Sequence, residues 1–65
     1  MFVQFSRDGF GEAFRMIMVV NGETMKSRKY SVEPNVSDVM SFLSGTGYWL
    51  ASDSPIGTGK FAITE

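Results

Sequence analysis

The stretch AFRMIMVVNGETMKSRKYSV, Ala13–Val32, joins an apolar run to a polar one across an Asn-Gly step. Asn-Gly between two strand-like runs is the strongest short-range hairpin signal, because both residues accept positive φ. Ala13–Val20, AFRMIMVV, is interrupted only by Arg15 and reads as a central strand covered on both faces. Glu23–Val32, ETMKSRKYSV, is polar and lysine-bearing, as suits an edge strand that discourages unwanted pairing. Two registers fit. A two-residue type I′ turn sets Arg15 opposite Arg28, a like-charge pair that would need an anion between its members. A turn on Val20-Asn21 with Gly22 as a left-handed bulge sets Arg15 opposite Ser27, and that register is preferred here.

Working outward, Met1–Ser6 (MFVQFS) predicts a first strand with Val3 and Phe5 on one face and Phe2 and Gln4 on the other. Arg7–Glu12 (RDGFGE) is a glycine-marked connection whose tip carries Phe10, an apolar residue in a place that is normally polar. Glu33-Pro34 stops the third strand. Asn35 then stands as an N-cap with Asp38 at the third helical position, a capping-box pattern. Val36, Val39, Met40 and Leu43 form the apolar face of a helix of about nine residues, with Phe42 off the stripe toward the sheet's rim. Gly45 closes it. Tyr48–Ser52 (YWLAS) and Lys60–Thr64 (KFAIT) read as the last two strands, joined by the turn-rich DSPIGTG, with Phe61 and Ile63 inward.

The order is β-β-β-α-β-β in one domain, residues 1–65. That order predicts an α+β fold, a small antiparallel sheet with one short helix on one face. The alternative is a five-stranded barrel resembling the oligonucleotide/oligosaccharide-binding topology, for which the strands are short.

Composition narrows the functional classes. A chain of 65 residues buries only about 60% of its unfolded surface, so small domains draw support from disulfides, metals or association. Cysteine and histidine are both absent, which excludes disulfides and the Cys/His type of zinc site. No cofactor or metal is expected, and a homodimer or a docked partner is the expected support. The five methionines read as gap-fillers of the core or as adaptable interface surface. Net charge is −1, too small to steer the chain toward nucleic acid or an anionic membrane. No run suits a transmembrane helix or a secretory leader, so a cytoplasmic protein is expected.

Catalysis lacks its common general base and its thiol nucleophile, so no enzyme is expected. Asp8, Glu12, Glu23, Glu33, Asp38 and Asp53 fall mostly in turns or on an exposed helix face. Gly57-Thr58-Gly59-Lys60 fails as a phosphate-binding loop because Ser54 and Phe61 occupy defining positions. The contact candidates are Phe10, Arg15, Lys26, Arg28 and Tyr30, together with the adjacent Tyr48 and Trp49, residue types common in binding hot spots. They predict a non-enzymatic module or inhibitor that occupies a partner protein's surface. Its composition is like that of small modulators encoded by phages or mobile elements. Weak binding of single-stranded nucleic acid through the basic face of strands two and three is the alternative, although alternation places Lys26 and Arg28 on one face and Lys29 on the other.

Overall fold

A computed structural model describes residues 1–9, 11 and 13–65. The elements are β1 (Phe2–Arg7), β2 (Phe14–Val20), β3 (Glu23–Tyr30), α1 (Val36–Leu43), β4 (Trp49–Leu50) and β5 (Lys60–Thr64). The strands form one antiparallel sheet in the order β3-β2-β1-β5-β4. Its outermost strands, β3 and β4, do not meet. The fold is therefore the expected α+β layer pair and not a closed barrel.

β1, not β2, is the middle strand. The register β1–β2 sets Val3 beside Met18 and Phe5 beside Met16, and β1–β5 sets Val3 beside Phe61. These residues share the face on which α1 lies, since strand side chains alternate. Val3, Met16, Val39 and Phe42 are fully buried there, joined by Met18, Val20, Leu43, Phe61 and Ile63. Among the described residues no element covers the opposite face. Phe2, Ile17, Val19 and Ala62 are half-buried on it, with Lys60 Nζ 4.2 Å above the Phe2 ring. The apolar run of β2 thus serves a core on one side and a half-wet sheet face on the other, which corrects the expectation that both faces are covered.

The central hairpin follows neither expected register. Asn21 (φ 52°) and Gly22 (φ 81°) lie between the paired residues Val20 and Glu23, a two-residue turn of the type I′ kind. The pairing then shifts between Met18 and Val19, leaving Met25 as the extra residue of a β-bulge. A slip of one residue exchanges the two faces of a strand. The bulge therefore turns Lys26, Arg28 and Tyr30 toward the helix side, opposite Met18, Met16 and Phe14. Tyr30 gains contact with the core, and Met25 is left 59% exposed. Arg15 faces Lys29 rather than Arg28 or Ser27.

α1 begins as its sequence dictates. The Asn35 side chain accepts from the Asp38 N–H at 3.0 Å, and the Asp38 carboxylate accepts from the Asn35 N–H at 3.0 Å. Gly45 follows the helix with φ +80°. The buried stripe is rotated from the expected one: Phe42 is fully buried and Met40 is 60% exposed. Helix geometry explains this, because Met40 lies about 100° from Val39 around the axis while Phe42 returns to within about 60° of it. The expected fourth strand, Tyr48–Ser52, contracts to Trp49–Leu50, extended by the Ala51 N–H donating to the Ala62 carbonyl at 3.0 Å.

Candidate functional site

The contact candidates do not form one surface. Phe10 lies outside the described residues. Arg15, Lys26, Arg28 and Tyr30 sit on β2 and β3 at one edge of the sheet, and Tyr48 and Trp49 at the other.

At the β3 edge the positive charges are largely occupied by the chain itself. Arg15 and Lys29 stand side by side on the open face, a like-charge pair that would repel. Asp8 lies just past the β1–β2 ladder and its N–H donates to the Ala13 carbonyl at 2.9 Å, which continues the pairing one step beyond the strands. Its carboxylate accepts from Arg15 Nη2 at 3.4 Å and stands 3.8 Å from Lys29 Nζ. The anion that apposed cations require is thus internal. Arg15 Nη1 also donates to Ser27 Oγ at 3.1 Å.

Lys26 works on the other face. Its ammonium donates to the Phe42 carbonyl at 2.7 Å and lies 4.9 Å from the Phe42 ring centroid. The last turn of α1 has no basic residue of its own. Lys26 reaches across from β3 to meet the unpaired carbonyls and partial negative charge that gather at a helix C-terminus. Arg28 is exposed opposite Met16, and Tyr30 is half-buried opposite Phe14. On the neighbouring strand the Arg7 guanidinium sits 5.1 Å over the Phe14 ring.

The β4 edge is different. A groove of about 600 Å³ runs between the end of α1 and β4, walled by Met40, Leu43, Tyr48, Trp49 and Leu50. Tyr48 and Leu50 lean on the core while Trp49 is 62% exposed. Trp49 pairs with Thr64, on the open face, and Leu50 with the buried Ile63, so adjacent residues present one outward and one inward side chain. The inward Tyr48 N–H donates to Thr46 Oγ1 at 3.2 Å, and that hydroxyl donates to the Leu43 carbonyl at 2.6 Å. This ties the floor of the groove to the helix end. Among its described lining residues Asp53 alone carries a charge. Met40, exposed on the groove wall, stands outside the sequence candidates because the apolar spacing places it with the core; its angular offset from Val39 is the signal that separates it.

No helix among the described residues is long and apolar enough to cross a membrane. Comparison with known proteins found no matching family model, no matching curated protein and no matching solved structure.

Proposed function

We propose that this chain is a non-enzymatic interaction module, acting in the cytoplasm, that modulates a partner protein by occupying its surface. The groove at the β4 edge carries this reading: an apolar concavity bordered by an exposed tryptophan and an exposed methionine. Tryptophan supplies much of the energy of protein interfaces, and methionine adapts to irregular partners. An edge strand of two residues also leaves room for a partner segment beside it.

The nucleic-acid alternative has less support. Lys26 is committed to the helix end and Arg15 and Lys29 share Asp8, so few free cations remain to track a phosphate backbone. Capture from the cells that make the protein tests the reading, using the wild type, Trp49→Glu and Lys29→Glu as baits. A protein retained by the wild type and by Lys29→Glu but lost with Trp49→Glu is expected. An identical set of bound proteins on all three baits would sink the assignment to the groove.

A further inference from the structure

We infer that the open face of the sheet binds an acidic amphipathic segment of a partner protein; the inference rests on reading the chain as a protein-interaction module and concerns a surface apart from the groove. A solvated sheet face ordinarily takes polar side chains at its outward positions. Here the pairs Val19–Phe2 and Phe2–Ala62 set three apolar residues in a row across β2, β1 and β5. Ile17 stands beside this row on β2, and Trp49 stands on the same face on the edge strand, paired with Thr64. Phe2, Ile17, Val19 and Ala62 are half-buried and Trp49 is exposed. An apolar surface of this kind on a small domain is one half of a contact.

Charge selects the chemistry of the other half. The next row, Ser27–Ile17–Gln4–Lys60, ends on a cation, and the row beyond it sets Arg15 beside Lys29. All three cations therefore lie on one side of the apolar row. No strand position of this face holds a carboxylate, in a chain whose net charge is −1. Lys60 Nζ leans to 4.2 Å from the Phe2 ring and forms no ion pair among the described residues, while Arg15 and Lys29 share the single carboxylate of Asp8. A segment with apolar side chains over Phe2 and Val19 and carboxylates toward Lys60 and Arg15 complements both features. Single-stranded nucleic acid complements them less well. Successive bases stack on aromatic platforms, whereas Ile17, Val19 and Ala62 are aliphatic, and the Asp8 carboxylate would face the phosphates.

Selection of phage-displayed random dodecapeptides on the immobilised protein tests the inference, followed by NMR titration with the enriched sequences. Peptides that combine Asp and Glu with apolar residues are expected. They should shift the backbone amides of Phe2, Gln4, Ile17 and Lys60, with an affinity that falls as salt is added. Lys60→Glu and Ile17→Thr should each lower that affinity at least about tenfold. Threonine suits a strand, so Ile17→Thr keeps the test valid if charge reversal disturbs β5. Arg28→Glu, on the helix side of the sheet, should bind as the wild type does. Enrichment without an acidic excess, no enrichment at all, or shifts confined to the groove overturns the inference. So does an equal loss with Arg28→Glu, or an oligothymidylate that binds more tightly than the selected peptides. Each of these outcomes leaves the groove reading to the capture experiment.

Discussion

Replacing Gly59 by alanine should damage this fold more than any other single methyl group added to a glycine. Gly59 has φ +64°, and a Cβ built there falls 2.6 Å from the Phe5 carbonyl oxygen and 3.3 Å from the Phe5 ring. The approach has a cause: the Phe5 N–H donates to the Gly59 carbonyl at 2.9 Å, tying β1 to the turn before β5. The left-handed backbone costs an alanine about 1–2 kcal/mol. Relieving contact with a backbone atom that cannot rotate away adds about 1–3 kcal/mol, the usual range for forcing atoms into a packed site. Together they predict a loss of about 3 kcal/mol, from a stability that for a domain of this size is roughly 3–10 kcal/mol. At about 4–8 °C per kcal/mol the midpoint should fall by about 12–24 °C. Gly22→Ala is the control, since Gly22 has φ +81° but nothing within 4 Å of the added Cβ. It bears only the conformational cost, about 1–2 kcal/mol, and both variants lose the same chain entropy in the unfolded state. Thermal and urea unfolding followed by circular dichroism measures the difference. If Gly59→Ala melts at or above Gly22→Ala, the close approach of β1 to this turn is wrong.

Two further substitutions probe the cations of the hairpin. Lys26→Met keeps the apolar stem and removes the ammonium from the Phe42 carbonyl; it should cost about 1–2 kcal/mol and loosen the end of α1, read as faster amide exchange at Ser44 and Thr46. Unchanged exchange there would mean that Lys26 does not hold the helix end. Asp8→Asn leaves Arg15 and Lys29 apposed without their anion, and because all three groups are partly exposed the loss should be no more than about 1 kcal/mol. Added salt should shrink that loss by screening the repulsion, so a deficit that persists at high salt would point to the loop rather than the charges.

Much of the fold is legible in local chemistry. The hairpin at Asn21-Gly22, the Asn35–Asp38 capping box, the inward Phe61 and Ile63 and the edge position of Glu23–Tyr30 each follow from residues adjacent in the chain; the two-residue form of the turn does not, because the like-charge argument at Arg15 favours the bulged turn on Val20-Asn21. What local pattern does not carry is the bulge at Met25. Its benefit is tertiary: it brings Tyr30 to the core and Lys26 to a helix that begins thirteen residues after Glu23, and neither partner can be read from the strand itself. The central place of β1 is equally hidden, because it depends on β5 returning across the whole chain to lie beside it. The candidate surface was legible in part. Adjacent tyrosine and tryptophan marked the β4 edge, but Met40 carried the same apolar signature as the core, and the basic residues of the hairpin gave no sign that Asp8 and α1 would engage them.

The strand order also sets how the molecule comes apart. β3, β2 and β1 form a meander whose neighbours are neighbours in sequence, so its loops close at small entropic cost. β5 joins by pairing Ala62 with Phe2, the longest closure available to the chain, and β4 is attached through β5 by the pairs Trp49–Thr64 and Leu50–Ile63. The meander is thus the part that can assemble early, whereas β4, two residues paired to β5 alone, has the fewest ladder pairs to break. Since the groove is built on β4, any release of that strand dismantles it, and whatever fills the groove acts as a latch on the shortest strand of the sheet.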